Sequence, residues 1–370
     1  MELLAEKLKK QREFLKISQA DAANSIGYKN YQTLLYYENG TRLPSILDLK
    51  KLSDLYHKEI NYFLNDEEPI TVVPKIMWRK KPASSIARKT TAELINFAEN
   101  YMLLEQLLGE SPAKIFDNTK NQVSNTSDCL KLADKFSSKT KLGPRPAKIL
   151  KNIIEDKLSI KVIELPLGDQ NCSGATTLYK NQFIILLNLN DKPWRKNFSL
   201  AHELFHILTW DTANKIPENK IEKFADIFAS NILLPTKEIS EEFNSICIKK
   251  YFNSSDLIGM AIEFNVSLQA MVYKILNLHF ISKHTAQKIL ENLNQSELKK
   301  KKYDIYSDLK IKTSSRFESL AIKNYIQGNI SIGKFCNLIN KKRHEIQGYL
   351  EEKEIFDINA TKQKYHTLTC

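Results

Sequence analysis

The most restrictive feature of this sequence is the pentapeptide His202-Glu203-Leu204-Phe205-His206. Positions i and i+4 of an α-helix lie on one face, so a helix at 198–210 brings both imidazoles within reach of one cation. Imidazole nitrogens are good zinc ligands, and a catalytic zinc site has three protein ligands and an open fourth position. Glu203 then lies beside the ion, where its carboxylate can accept a proton from an attacking water. The motif therefore predicts a helix that carries two ligands of a Zn²⁺ site.

A second predicted helix, at 217–234, offers the third ligand. Glu222 lies at the edge of its apolar arc, next to Ala225 and Ala229, whose small side chains allow another helix to approach closely. A carboxylate held there suits a zinc ligand, and we expect Glu222 to fill this role.

Two other acidic residues of this helix are open alternatives to Glu222. Glu218 and Asp226 lie one turn away on either side. Glu218 also suits the start of a helix, and Asp226 suits a residue that supports a ligand or faces solvent. A pair of buried core histidines is the competing explanation of the motif, since both lie close to the apolar surface of their helix.

A small sheet is expected before the histidine helix. The runs 160–164, 172–178 and 182–188 are rich in Val, Ile, Leu and Thr, and the last two flank 179–181 like a hairpin. Such a sheet forms one wall of a peptide cleft and can accept a substrate as an added strand.

The first 66 residues predict five short amphipathic helices. Ser18 suits the N-cap of the second helix, Gly27 ends that helix, and a third helix is expected at 31–38. A fourth helix follows, with Ile46, Leu49, Leu52 and Leu55 at helical spacing. A helix, a tight turn and a polar and aromatic third helix are the helix-turn-helix arrangement.

This segment resembles the Xre/Cro-type DNA-binding family. The residues that carry the resemblance are Ser18-Gln19, Gly27, Leu34, Glu38-Asn39-Gly40, Arg42 and Pro44. The resemblance implies double-stranded DNA as a partner, with Gln19 on a phosphate and Arg42 as a further contact. It also implies that Asn30, Gln32, Thr33 and Tyr36 face the major groove, where side-chain amides can pair with adenine.

The length of one stretch leaves open which side chains face the bases, and the low local charge leaves open another function of this segment. The stretch between Gly27 and Glu38 is one residue longer than is usual in the family, and residues 1–66 hold 10 Lys and Arg against 9 Asp and Glu. Phosphate contacts supply most non-specific affinity for DNA. A helical protein-interaction bundle without DNA binding is the alternative.

The region around the histidine motif resembles the ImmA/IrrE metallopeptidase family. The resemblance rests on Ser199-Leu200-Ala201-His202-Glu203-Leu204-Phe205-His206, on Glu222, Ala225, Phe228 and Ala229, and on Leu233-Leu234-Pro235. It implies His202, His206 and Glu222 as zinc ligands and Glu203 as the catalytic base. Family members include cytoplasmic proteases that cleave repressors of mobile elements or stress regulons, and fused transcriptional regulators. Phe205 departs from the Gly that the family usually has, and a benzyl group there would narrow the cleft or reposition the substrate.

The fold class expected from these patterns is mainly α with a small β-sheet. We expect a helix-turn-helix domain at 1–66, a helical connector at 67–140 with a linker at 65–74, a metallopeptidase domain at 141–290 and a helical region at 291–370. The last region has basic clusters at 299–302 and 341–343. Its pattern resembles a second helix-turn-helix only weakly, and dimerisation or presentation of substrate suits it equally well.

Cysteine usage and hydropathy indicate the cellular compartment of this chain. The five cysteines form no CxxC pair, which favours a reducing cytoplasm and argues against a disulfide framework. Apolar runs are too short to span a bilayer. The net charge of +12 is compatible with a nucleic-acid partner.

Three functions follow from these observations. The first is a cytoplasmic DNA-binding zinc metallopeptidase that regulates genes by cleaving a partner repressor or regulator protein. The second is a non-proteolytic transcriptional regulator or antitoxin whose zinc domain is sensory or structural, and the third is a housekeeping peptidase. The oligomeric state is open, with a homodimer as one candidate.

Overall fold

The computed structural model describes residues 2–66, 76–78, 84–110, 119–167, 172–212, 216–247, 251–295, 316–353 and 355. Within them the expected mainly helical fold with one small sheet is confirmed. Most of the expected linker at 65–74 and the basic cluster at 299–302 lie outside the described residues. The chain divides into two compact units, Met1–Glu99 with Pro112–Ile311 and Asn100–Ser111 with Lys312–Cys370. None of the helices in the described part of the chain combines the length and apolarity that a membrane span requires.

Five helices form the amino-terminal part of the first unit, as expected. The Ser18 hydroxyl accepts a hydrogen bond from the backbone N–H of Asp21, and Gly27 ends the second helix in the left-handed region at φ 99°. Both features confirm the predicted caps. The helices are α1 (Glu2–Leu15), α2 (Gln19–Ile26), α3 (Gln32–Glu38), α4 (Ile46–Leu55) and α5 (Ile60–Leu64).

One of the four apolar residues at helical spacing in α4 does not pack inward. Ile46 is 81% exposed, whereas Leu49 and Leu52 are buried. Ile46 is the first residue of the helix, directly after the N-cap Ser45, and the buried face begins about one turn later. Periodicity alone does not show where along a helix the packing begins.

Within the first unit, the part of helix α6 (Ser84–Leu108) up to Glu99 links the amino-terminal helices to the sheet. Ala92 is buried in the same core as α1–α5, and the Arg88 Nε donates to the carbonyl of Leu15 at 3.1 Å. Glu99 bridges the two parts, because one carboxylate oxygen lies 3.2 Å from the Lys58 Nζ and the other accepts from the Tyr179 hydroxyl at 2.9 Å.

The sheet has four strands in the order β1-β3-β4-β2. Strands β3 and β4 form the expected hairpin, with Lys180 and Asn181 both at positive φ in its two-residue turn. Strand β2 pairs with β4 in parallel, and β1 pairs with β3 in antiparallel orientation. The bounds are β1 (Ile76–Trp78), β2 (Lys161–Leu165), β3 (Gly174–Tyr179) and β4 (Gln182–Asn188).

The helices around the sheet share one large apolar core. The sequence pattern at 147–157 predicts a single helix, but the structure has a 3-10 turn (Pro146–Lys148), one α turn named α8 (Leu150–Asn152) and a π-type turn (Ile153–Lys157) in its place. The other helices of this unit are α7 (Thr126–Thr140), α9 (Pro193–Leu208), α10 (Glu218–Leu233), α11 (Thr236–Ile246), α12 (Ser254–Glu263), α13 (Leu268–Asn277) and α14 (Lys283–Gln295).

The second unit contains three further described helices. They pack around buried Phe317, Leu320, Phe335 and Tyr349, and the Tyr325 and Phe335 rings stack with centroids 4.5 Å apart. The helices are α15 (Arg316–Ile326), α16 (Ile332–Ile339) and α17 (Ile346–Glu352), and a 3-10 turn (Arg343–Glu345) leads into the last.

Phe205 belongs to the core of the first unit and not to a cleft. Its side chain is fully buried, and its ring centroid lies 5.5 Å from that of Phe228 on α10. The expected narrowing of the cleft by this benzyl group is therefore wrong. The ring points to the side of α9 that packs on α10, one position before His206.

We expect Phe205→Ala to lower the free energy of unfolding by about 3–5 kcal/mol, because it removes a fully buried aromatic ring and leaves a cavity. Phe205→Leu keeps most of the volume and should cost less than about 2 kcal/mol. Urea denaturation of both variants measures the difference. Equal and small losses for the two variants would contradict a core role for this ring.

Candidate metal centre

Three predicted ligands converge where α9 meets α10. The Nε2 atoms of His202 and His206 lie 3.2 Å apart. One Glu222 carboxylate oxygen lies 3.1 Å from the His202 Nε2, and the other lies 3.2 Å from the His206 Nε2. Among the described residues this is the group of His, Cys, Asp and Glu side chains that can hold a metal ion. Helical spacing places the histidines on one face, and small buried Ala225 and Ala229 let α10 approach.

The hydrogen-bonding pattern of these three side chains suits a proton or a metal ion between them. The His202 Nδ1 lies 2.9 Å from an Asp226 carboxylate oxygen, so this nitrogen carries the proton and donates it. In the neutral ring the Nε2 is then left with a lone pair that faces Glu222 and His206. A lone pair facing a carboxylate is repulsive unless a proton or a metal ion lies between them.

The distances also fit a divalent ion. Two ligand atoms that each lie about 2.1 Å from a tetrahedral Zn²⁺ are roughly 3.4 Å apart. The three separations among the Nε2 atoms and the Glu222 oxygens lie close to that value. The donor set of two imidazoles and one carboxylate is one that catalytic zinc sites use.

Glu222 is held in its charged form. Burial by itself would raise the pKa of this carboxyl, but hydrogen bonds and charge interactions with His202 and His206 outweigh it, and the pKa lies well below its ordinary value. A carboxylate that stays ionised is ready to bind a cation.

The two alternatives to Glu222 have other positions. Glu218 is exposed in the first turn of α10 and is not part of the convergent group. Asp226 is about half exposed and contacts the other nitrogen of His202. A carboxylate at this nitrogen fixes the tautomer and the ring orientation of a metal-binding histidine.

We expect Asp226→Asn to weaken Zn²⁺ binding by about 10–100-fold, because the amide no longer fixes the His202 tautomer as a carboxylate does. Competition with a chromophoric chelator measures the affinity. Glu218→Gln, on the same helix, is the matched control and should bind Zn²⁺ like the unmodified chain. Unchanged affinity in Asp226→Asn would contradict the orienting role.

Glu203 is buried between α9 and the sheet. Its Oε2 accepts a hydrogen bond from the Thr176 hydroxyl on β3 at 2.7 Å. Its Oε1 is buried and has no hydrogen-bond partner among the described residues. A buried carboxylate oxygen without a donor is costly, so this atom needs a water or substrate proton as its partner.

Two residues that support Glu203 were missed by the sequence analysis. One is Thr176, and the other is Gly174, where a Cβ atom would lie only 3.1 Å from the Glu203 Oε1 and 3.2 Å from the Leu186 carbonyl oxygen. A glycine inside a strand pattern indicates close approach of another group. That signal was present at Gly174, but it does not say which group approaches.

A cavity of about 830 Å³ opens beside the centre. Glu222 and Asp226 form part of its wall, and Ser173 and Arg195 add polar groups, joined by a hydrogen bond of 2.7 Å from the Arg195 Nε to the Ser173 hydroxyl. The rest of its described lining comes from α9, α10 and α13 with the loop before it. It mixes polar with apolar side chains: Ser230, Ser267 and Gln269 with Trp194, Phe198, Leu233, Leu234, Val266, Ala270 and Tyr273.

The expected addition of a substrate strand to the sheet meets an obstacle in this structure. The outer edge of β3, which carries Thr176, is paired with β1, and Met77 lies opposite Thr176. The connector strand satisfies the backbone groups that a substrate would otherwise use. The cavity therefore offers the open approach to the centre.

The expected DNA-contacting residues lie mostly on the surface of α2–α4. Asn30, Gln32, Tyr36 and Arg42 are exposed, and Thr33 is half-buried. The Asn30 carboxamide oxygen accepts from the backbone N–H of Gln32, so this residue also orders the start of α3. Their contacts with DNA remain predictions.

Gln19 is tied to a buried ion pair. Its Nε2 donates to the Glu38 carboxylate at 2.9 Å, and Glu38 receives two further hydrogen bonds from the Arg12 guanidinium at 2.6 and 2.9 Å. The network joins α1, α2 and α3. It holds Gln19 in place at the start of α2, and its contact with a phosphate also remains a prediction.

Comparison with known protein families gives two matches. Residues 8–63 match the model described as helix-turn-helix, and residues 155–276 match the peptidase M78 model described as an IrrE N-terminal-like domain. Both expected resemblances, and their fusion in one chain, are confirmed. No curated protein matches this sequence.

Solved structures add weak similarity only. A Mycobacterium tuberculosis transcriptional regulator is 13% identical, with a TM-score of 0.32, over 48% of this chain and 51% of that one. The chain thus matches about half of that structure's length, and a similarity of this size carries no information on activity.

Proposed function

We propose that this chain, which joins an Xre-like helix-turn-helix to an IrrE-type domain, is a DNA-binding regulator that cleaves a partner repressor with a zinc-dependent peptidase centre. The observation that carries the proposal is the convergence of His202, His206 and Glu222 next to a buried Glu203 that has a free oxygen. Structural zinc sites are closed by four protein ligands, whereas three ligands and a nearby base suit hydrolysis.

Each residue of the centre has a separate task in this proposal. Bound Zn²⁺ would polarise the scissile carbonyl and lower the pKa of a water. His202, His206 and Glu222 hold the ion, and Asp226 orients the first of them. Glu203 accepts the proton of the attacking water at its Oε1 and returns a proton to the leaving amine. The Thr176 hydroxyl holds the other oxygen and so orients the base.

The cavity is the proposed binding place of the substrate chain. Its mixed apolar and polar lining suits both the side chains and the backbone groups of an extended segment, and its size is in the range of pockets that bind small ligands. Arg195 carries a fixed positive charge at its wall and suits a substrate carboxylate or carbonyl. A partner protein must therefore present a segment that leaves its own core, which favours a flexible loop or linker as the cleaved site.

The proposed regulator joins binding and cleavage in one chain. The helix-turn-helix places the peptidase near its target genes, where the partner repressor is bound, and a local concentration effect favours the encounter. In this proposal the protein acts in the cytoplasm.

Comparison of new protein amino termini tests this function. Extracts of the host cell are incubated with the unmodified chain and with Glu203→Gln, and mass spectrometry identifies termini that appear only with the former. We expect cleavage in one or a few DNA-binding proteins. Identical termini in both samples would refute proteolysis and leave the non-proteolytic regulator as the explanation.

A further inference from the structure

Helices α15–α17 resemble α1–α3 of the amino-terminal helix-turn-helix in their caps, turns and buried positions. Helix α16 has eight residues, like α2, and each follows a serine N-cap, Ser331 and Ser18. Each serine hydroxyl accepts a hydrogen bond from the backbone N–H three residues later. Each helix also ends at a left-handed residue, Asn340 at φ 51° and Gly27 at φ 99°.

The residues that pack inward occupy matching positions in the two helices. The fourth and fifth residues after the serine are buried in both, namely Ala22 and Ala23 in α2 and Phe335 and Cys336 in α16. A shared pattern of burial means that the two helices present the same face to their own cores.

The following helices match as well. In α3 the buried residues Leu34 and Tyr37 are three positions apart, and in α17 Ile346 and Tyr349 have the same spacing. Each tyrosine hydroxyl donates to a carboxylate of its own unit, that of Asp48 or Glu318. The interval from Asn340 to Ile346 is one residue shorter than the interval from Gly27 to Leu34.

The preceding helix completes the correspondence. Helix α1 is followed by a left-handed residue, Lys16, and α15 is followed by the left-handed Gly328. In both units an isoleucine, Ile17 or Ile330, stands directly before the capping serine. Caps, turns and buried positions match over three consecutive helices. Chance similarity of a single turn does not explain a match of this extent.

The amino-terminal helices and α15–α17 differ in charge. Residues 1–66 are almost neutral, whereas residues 316–353 hold 7 Lys and Arg against 4 Asp and Glu. Four exposed residues, Lys341, Lys342, Arg343 and His344, follow one another in the connection between α16 and α17. The carboxylate of nearby Glu345 accepts a hydrogen bond from the Lys342 backbone N–H, and Lys342 is exposed.

We propose that α15–α17 form a second DNA-binding element, in which Lys341, Lys342 and Arg343 contact phosphates of duplex DNA. A helix-turn-helix uses its turn and second helix against the groove and the adjacent backbone. Phosphate contacts from Lys and Arg supply affinity that does not depend on base sequence. In this proposal the near-neutral amino-terminal element selects the base sequence, and the basic second element supplies electrostatic affinity for the duplex.

The test measures binding of the full chain to a 30-base-pair duplex of random sequence at several salt concentrations. Each lost phosphate contact should lower the slope of log K against log salt by about 0.9. For Lys341→Ala/Lys342→Ala/Arg343→Ala we expect a slope reduced by about 2–3 and an affinity at least tenfold lower. Lys341→Arg/Lys342→Arg/Arg343→Lys keeps the charges and should bind like the unmodified chain.

Two control variants make the result specific. Lys237→Ala/Lys283→Ala/Lys288→Ala removes the same charge from exposed positions elsewhere and should leave the slope almost unchanged. Lys29→Ala/Arg42→Ala changes only the amino-terminal element, so this variant shows separately whether that element contributes to DNA binding. The proposal is overturned if the triple alanine variant at 341–343 has the slope of this charge-matched control. It is also overturned if that variant alters only self-association, measured by sedimentation, because the surface then serves a protein partner.

Discussion

A Glu203→Gln chain is expected to lose about 10²–10⁴-fold in kcat/KM towards the cleaved partner, the range that a general base contributes. The amide has the size of the carboxylate but cannot accept the proton of the attacking water. Zinc stoichiometry should stay unchanged, because His202, His206 and Glu222 are intact. Elemental analysis and cleavage of a peptide that spans the cut site give the two measurements.

Stability distinguishes this result from damage to the fold. Glu203 is buried and one of its oxygens has no partner among the described residues. Removing a buried charge does not destabilise by itself, and the Thr176 hydroxyl can donate to the amide oxygen as it does to the carboxylate. Thermal unfolding of Glu203→Gln should therefore occur at or above the temperature of the unmodified chain. Full cleavage activity in this variant would exclude Glu203 as the base.

Removal of one zinc ligand is expected to have the second largest effect. Zinc sites bind with about 10–16 kcal/mol shared among their ligands, so loss of one ligand costs about 3–4 kcal/mol. His206→Ala should weaken Zn²⁺ binding by about 10²–10³-fold and abolish cleavage. Calorimetric titration of the metal-free chain with Zn²⁺ measures the affinity.

Thermal unfolding gives an independent readout of the same site. Ligands that bind only the native state stabilise it, by about 2.7 kcal/mol at 100 times Kd. Adding Zn²⁺ should raise Tm in the unmodified chain and in Glu218→Gln, and should do so much less in His206→Ala. A chelator should reverse the rise. An equal rise in Tm for His206→Ala would mean that Zn²⁺ binds elsewhere on the chain.

Local patterns sufficed for most of the helices, for the caps at Ser18 and Gly27 and for the spacing of the two histidines, but not for the short turns at 146–157. Helical geometry follows from neighbours in sequence, so Ser18, Gly27 and the pair His202 and His206 could be placed without long-range information. The choice of Glu222 rested on the small residues beside it, and the structure brings its carboxylate to both imidazoles.

Other features needed contacts between segments distant in the chain. Thr176 and Glu203 are 27 residues apart, and their hydrogen bond depends on the packing of β3 on α9. The periodicity of α9 shows that Phe205 is apolar, but only the position of α10 decides that its ring packs on Phe228 rather than in a cleft.

The sequence alone indicated which residues are candidate metal ligands, where most helices begin and end, and that two kinds of domain are joined. Short-range spacing, capping and charge encode these properties. Only the tertiary structure decided which nitrogen of His202 faces Asp226, which oxygen of Glu203 is free, and that β1 covers β3. These properties depend on how segments that are distant in the chain pack against one another. Close packing allows only a few such arrangements, and the local sequence does not specify which of them forms.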